Sequence, residues 1–578
     1  MEHQDLLRDL LVLFGMATLL AMALQRARQS TIVAYLLTGM LVGPSGLKLI
    51  TSRDAIELMA EIGVVLLLFT IGIEFSLKKL VQMRQVVLGA GGRQVGLTVL
   101  ALLGLCLALG LSWRQGLFWG FLVAASSTAI VLKLLHDRQE LESPHGRAIL
   151  GVLLFQDLCV IPMMAVLPAM VAASGAVALT ILTALLKSLL LVGLILAAAR
   201  YFFPPLWRHI VFLRNKEIFL IATIFFSLGT AWASSLLGLS LALGAFLAGL
   251  ALSESEYAHQ ILSEILPFRD SFNSLFFISI GMLLNLDFVR ERWALVIGIT
   301  LLLFLLKTAT GMGATLLMGF PLRVGLLVGL GLAQVGEFSF VLLRQGAGLG
   351  LVDEQDYQTF LAAAVFTMIL TPIVIQLSPQ LATRLPEAAG LRRFFPEPDE
   401  ADLEEHGPPL HDHVIVCGYG LNGRLTSRVL RQSGIPYLIL EINPETVRRA
   451  AAAGEPIYYG DSSKWQILEK SGAARARAII FAISDPFVLG RAVATARSHN
   501  PSLTIIARTK RLEDAEPLKR AGASVVVAEE LEAAGEIIIE LMARFGVARR
   551  EAFNRILQTD PEKERRAEAG EYAGEGGA

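Results

Sequence analysis

Long apolar runs follow one another from the N-terminus to about Leu385, and nothing else in the chain restricts its fold as much. A helix that crosses a bilayer needs about 20 predominantly apolar residues. In hydrocarbon every backbone N–H and C=O must be satisfied within the protein, and helices do this within a single segment. About 13 runs have that character: Leu6–Leu24, Thr31–Ile50, Ala55–Phe75, Val86–Leu111, Gly116–Leu135, Ala148–Ala172, Ala176–Phe203, Glu217–Leu237, Leu239–Leu252, Pro267–Leu286, Trp293–Phe320, Val324–Leu343 and Tyr357–Leu377. The chain is 54% hydrophobic and only 17% charged, against about 25% charged in ordinary soluble proteins. The deficit is confined to the first two thirds. A polytopic α-helical membrane domain, 1–385, is therefore expected to precede a linker, 386–411, and a soluble domain, 412–532. Residues 533–578 should form a C-terminal helix and a disordered tail.

Lys and Arg alternate between the connecting segments, with about 15 on the odd side and about 7 on the even side. The positive-inside rule then places the N-terminus outside and the soluble domain in the cytoplasm, as an odd helix count also requires. The acidic start, Met1-Glu2-His3-Gln4-Asp5, lacks the basic segment of a signal peptide, so the first run reads as a membrane helix. A net charge of −1 points to no nucleic acid partner. Three cysteines far apart, with no metal-ligand spacing, point to neither disulfides nor zinc.

Inside these runs stand a few polar residues. Gln156-Asp157 lie in the middle of Ala148–Met164. A carboxylate at that depth costs about 2.5–3.5 kcal/mol and by default marks an ion or proton site. Lys307 is buried in its own run, too deep to reach water easily. It has three available partners: Asp157, Glu337, or backbone carbonyls at a broken helix. Two runs are poor helices. Ser126, Ser127 and Thr128 cluster in the fifth. Gly331–Ser339, with Gln334, Gly336 and Glu337, interrupts the twelfth. They are seven helices apart, so they run in opposite senses. Paired interruptions of this kind indicate inverted repeats around a midplane site. One carboxylate visited in turn by a proton and a monovalent cation would give obligatory exchange, with the Gln156 carbonyl oxygen beside it. A single acid in the Gln-Asp pair leans towards one-for-one exchange.

The soluble domain opens with His413–Cys417 as a strand, then Gly418-Tyr419-Gly420-Leu421-Asn422-Gly423, a helical stretch, and a second strand ending in Glu441. Strand, glycine turn, helix, strand and acid together make the dinucleotide fingerprint of a Rossmann-like fold. Glu441 should accept ribose hydroxyls, and Asp461 ends the third strand. No substrate-side catalytic group accompanies the turn, so a ligand-sensing role rather than an enzyme is expected.

The membrane part resembles the Kef-type cation:proton antiporters, the glutathione-gated potassium efflux family and its relatives. Phe155-Gln156-Asp157, Ser126-Ser127-Thr128, Lys307 and Gly336-Glu337-Phe338 carry that resemblance. The soluble part is similar to the Trk-type nucleotide-binding domain, the regulator of potassium conductance, through Gly418, Gly420, Gly423, Glu441, Gly460-Asp461 and Ala507-Arg508. The resemblance implies exchange of K⁺ for H⁺ across a bacterial inner membrane. Asp157 would be the carboxylate for proton and metal ion, with Gln156, Ser126, Ser127, Thr128, Lys307 and Glu337 around it. It further implies a homodimer, elevator-like alternating access, and gating by NAD(H) or an adenine nucleotide (AMP or ATP), with Arg508 near the nucleotide. A glutathione-type effector is implied for the family, although no glutathione site is identified in this chain. Na⁺ for H⁺ exchange and a ligand-gated K⁺ channel are the alternatives. A channel would need a filter of repeated carbonyl loops, and none is found.

Overall fold

The structure is a computed structural model. It describes residues 2–26, 29–50, 53–74, 83–138, 140–141, 143–171, 215–236, 241–253, 255, 257–388, 410–483 and 485–559. The seventh expected helix, the linker beyond 388 and the tail beyond 559 lie outside the described residues. The chain forms two compact units, one of residues 1–137, 145–318 and 322–392 and the other of residues 138–144, 319–321 and 393–578.

The first unit is entirely helical among the described residues. Among the described residues, seven helices are long and apolar enough to cross a membrane, and shorter apolar helices accompany them. Both interruptions expected from sequence are present. The first separates α1 (Trp113–Ala124) from α2 (Thr128–Asp137). A long helix, α3 (Pro144–Val171), carries Gln156 and Asp157, and α4 (Trp293–Leu316) carries Lys307. The second interruption separates α5 (Leu322–Gly331) from α6 (Glu337–Gly348).

Some expected boundaries move. Pro267 does not begin a helix; it lies inside Ala258–Leu283. Its missing N–H evidently does not end the helix here, because the helix is held by its neighbours over 26 residues. The last membrane helix runs from Glu354 to Ala388, well beyond the apolar run.

The core of this unit is built from Phe69, Phe118, Leu122, Phe277, Phe338 and Phe360, all nearly inaccessible. On α4 the opposite pattern shows which face is which. Leu301 and Leu305 are 54% and 66% exposed, whereas Lys307 is fully buried. In water that distribution would be inverted; with lipid outside, apolar side chains face outwards and the rare charge faces the bundle.

The second unit contains a six-stranded parallel sheet in the order β3-β2-β1-β4-β5-β6. The strands are β1 (Val414–Cys417), β2 (Tyr437–Glu441), β3 (Ile457–Tyr459), β4 (Ala478–Phe481), β5 (Thr504–Thr509) and β6 (Val525–Ala528). Strands β1, β2, β4 and β5 read as Val/Ile/Leu-rich runs because both faces of a doubly covered parallel sheet are buried. The order reverses beside β1, which pairs with both β2 and β4. Ligands bind at the carboxyl ends of the strands at such a switch point. The helix after β1, α7, spans Leu421–Gln432, and the helix after β6, α8, spans Glu529–Arg544.

Candidate functional site

In the membrane unit the two interruptions meet. Residues Ala125–Ser127 and Leu332–Gly336 have left the helical hydrogen-bond pattern, and they recover part of it from each other. Gly336 N–H donates to the Ala125 carbonyl at 3.1 Å, the Ser126 hydroxyl donates to Leu332 at 3.0 Å, and the Ser339 hydroxyl donates to Leu122 at 2.5 Å. Partners rise along one segment as they fall along the other, so the crossing is antiparallel. Gly336 is required by this closeness. A Cβ there would lie 2.6 Å from the Ser126 carbonyl and 2.9 Å from the Ser127 nitrogen.

Each helix end at the crossing carries a partial charge. The C-terminus of α1 is answered by Lys307. Its ammonium donates to the carbonyls of Val123, Ala124 and Ala125 at 2.6, 3.3 and 3.0 Å. Of the three partners open to it from sequence, the backbone carbonyls are the ones it takes. It makes no ion pair with Asp157 or Glu337. The N-terminus of α2 faces Asp157, whose two carboxylate oxygens share the Thr128 hydroxyl at 3.2 and 3.1 Å. The N-terminus of α6 begins with Glu337 itself.

Asp157 is 6% exposed and borders a small cavity of about 10 Å³ with Leu68, Val160, Ile161, Met164, Phe246 and Phe338. That space is about the size of one water. Glu337, 3% exposed, starts α6 in the same crossing, and its buried Oε2 has no partner. The site therefore holds a second carboxylate, supplied by the other interrupted helix, and the acid count of the Gln-Asp pair understates it.

Gln156 also ties the crossing together. Its carbonyl oxygen accepts the Ser126 N–H at 2.8 Å, and its amide donates to Gln94 at 2.8 Å. Gln94 in turn donates to Thr98, which donates to Thr310 on α4 at 2.9 Å. Gln156 thus holds the interrupted backbone in place, and both its polar atoms are engaged. Gln94 was missed from sequence, and Gln334 was noted only as part of the second interruption. Each is an amide within an apolar run, which was the available signal. Gln334 is fully buried and neither of its side-chain polar atoms has a partner.

In the second unit the glycine turn has the expected form. Gly418 has φ +99°, and a Cβ on Gly423 would collide with the Gly418 carbonyl. Gly420 caps α7 without a side-chain bond, which leaves first-turn N–H groups open at Leu421, Asn422 and Gly423. Glu441 follows β2. Its Oε2 accepts from Tyr419 N–H at 2.7 Å, and its Oε1 accepts from Ile442 and Asn443 at 2.8 and 2.9 Å. Asp461 accepts from Ser463 N–H at 3.0 Å. Arg508 and Asn422 are brought together by Glu529, a residue the sequence reading did not single out. Behind the turn, burial pushes the Cys417 thiol well above its usual range, so it stays protonated and unreactive.

Comparison with known proteins follows these two sites. Residues 11–377 match the family described as sodium/hydrogen exchanger, transmembrane, and residues 414–529 match the TrkA-N domain. The chain is 33% identical over 552 residues to the putative K⁺ efflux antiporter KefB of Alkalimonas amylolytica, covering 95% of this chain and 83% of that one. The chain belongs to the Kef-type potassium efflux antiporter family. A second Kef relative, the glutathione-regulated potassium-efflux system protein KefC of Cronobacter sakazakii, is 33% identical over 96% of this chain and 88% of its own length. Among solved structures, the sodium proton antiporter MjNhaP1 of Methanocaldococcus jannaschii aligns with a TM-score of 0.51 at 17% identity, covering 66% of this chain and 99% of that one. At that identity the likeness is one of fold: the Kef-type membrane part shares the antiporter architecture. The chain is accordingly a multi-pass membrane protein with a TrkA-N domain at its C-terminal side.

Proposed function

We propose that this protein exchanges K⁺ for H⁺ across a bacterial inner membrane, with its N-terminus periplasmic and its nucleotide domain cytoplasmic. Asp157 is the carboxylate that holds the proton and the metal ion in turn. One observation carries the reading: among the described residues, Asp157 is buried beside a water-sized cavity and bonded only to the Thr128 hydroxyl, while the buried Lys307 is used on carbonyls. A carboxylate locked to a base would be a structural ion pair. One left with a single neutral donor is available to a proton or a metal ion, which satisfies it better than a hydroxyl does. Ser126, Ser127, Thr128 and Gln156 hold the crossing around it, and Glu337 adds a second acid.

The cytoplasmic unit binds NAD(H) or an adenine nucleotide through Gly418, Gly420, Leu421, Asn422 and Gly423, with Glu441 on the ribose, and gates the exchange. Support comes from the TrkA-N match and from the open N-terminus of α7. The working unit is a homodimer, and a glutathione-type effector acts on it as in the KefC relatives.

The test is a proteoliposome assay of internal pH on addition of K⁺ or Na⁺, with and without nucleotide. Wild type should respond to K⁺ and Asp157→Asn should not. A K⁺ response that survives in the variant defeats the proposal; a response to Na⁺ alone reassigns the ion.

A further inference from the structure

Glu529 stands beside the glycine turn, bonded to the first turn of α7 through a side chain. It is the first residue of α8, directly after β6, yet its Oε1 accepts from the Asn422 side chain at 3.0 Å, on the first turn of α7. The same oxygen accepts from Arg508 at the end of β5, 2.7 Å from Nε and 2.6 Å from Nη2. One carboxylate thus joins the ends of β5 and β6 to the helix that follows β1, across the intervening strand β4. All three elements meet at the carboxyl ends of the strands, where this fold takes its ligands.

We propose that Glu529 is a resident anion in the phosphate seat and that the phosphate of an incoming nucleoside phosphate displaces it. This rests on the nucleotide reading given above and deepens it. The open N–H groups of α7 attract negative charge, and a carboxylate or a phosphate can answer them. Both anions at once would repel at close range. Arg508 is 17% exposed and Glu529 40%, so the acid is the member of the pair that faces solvent and can leave. Arg508 then gains a phosphate, a planar-fork partner of higher charge than the carboxylate it loses. Because Glu529 begins α8, its release frees the first turn of that helix, while Glu530 still holds the Leu512 N–H at 3.0 Å as a hinge. Nucleotide occupancy is in this way read out by residues 529–544, which lead away from the site.

The experiment is calorimetric binding of AMP and of adenosine to the full-length protein in detergent. Glu529→Gln keeps the side-chain shape and removes the charge. It should bind AMP roughly tenfold more tightly than wild type, the scale of one charged hydrogen bond, and bind adenosine equally. Arg508→Gln should weaken AMP by a similar factor and leave adenosine unchanged. Equal AMP affinity in wild type and Glu529→Gln, weaker AMP binding in that variant, or an equal change for adenosine overturns the displacement while leaving the nucleotide site in place. Failure of every form to bind either ligand overturns the nucleotide reading, and the displacement with it.

Discussion

The membrane crossing and the glycine turn face the same physical problem and answer it differently. Both are places where helix ends converge with backbone groups unpaired. At the crossing the carbonyls of α1 are capped by a resident ammonium, Lys307, and the freed N–H groups of Ser126, Val335 and Gly336 are taken by Gln156, Thr367 and Ala125. At the turn, α7 has no side-chain cap, and the acid nearest it is partly exposed and held by groups that a ligand can also use. In hydrocarbon an unsatisfied group costs several kcal/mol and no water replaces the partner. In water the same end stays open at little cost. The backbone of the membrane site is therefore largely satisfied, with open side-chain groups at Asp157, Glu337 and Gln334, and the cytoplasmic site is built to be completed by its ligand.

Removing the cap from the crossing should have the largest effect. Lys307→Met removes three hydrogen bonds from the end of α1 and should cost about 3 kcal/mol or more, since a bond to a charged donor contributes about 1.5–3 kcal/mol. It should lower the unfolding temperature in detergent and abolish exchange. A variant as stable as wild type would remove the distinction between the two sites.

Added methyl groups separate the sites further. Gly336→Ala drives a Cβ into the Ser126 backbone and should cost about 1–3 kcal/mol, with loss of exchange and normal AMP binding. Gly423→Ala should weaken AMP roughly tenfold, about 1.4 kcal/mol, with exchange intact when nucleotide is absent. If either variant disturbs both functions equally, the sites are not separable in this way.

The smallest effect concerns pH and only the cytoplasmic unit. Burial holds the His413 imidazole below its usual value; its bond to the Ser471 carbonyl opposes this, and Arg475 and His411 add to the lowering. The native domain therefore favours the neutral ring. Its contribution to stability is complete above the unfolded value of about 6.5 and is lost as pH falls through the lower native value. The unfolding temperature of wild type should drop on going from pH 7.5 to 5, and His413→Gln should flatten that dependence. An unchanged slope in the variant assigns the acid sensitivity elsewhere.

Much of the site was visible in advance because some residues are costly wherever they stand. An aspartate in an apolar run, a lysine deep in another and a hydroxyl cluster in a third were each conspicuous. So was the glycine turn, whose meaning lies in local spacing. Boundaries at Pro267 and Ala388 were less visible, because neighbouring helices extend what local propensity would stop.

Sequence alone determined the two-part architecture, the helical form of the first part, the parallel sheet of the second, and the identity of Asp157 as the residue to explain. These follow from composition and from periods of a few residues, which act locally. Tertiary structure alone decided who partners whom. Lys307 meets a carbonyl 184 positions away, Gln156 bridges Ser126 and Gln94, and Glu529 reaches Asn422 across 107 positions. Such pairs depend on how elements pack in space, and a hydrogen bond of 3 Å between distant segments leaves no periodic trace in the chain.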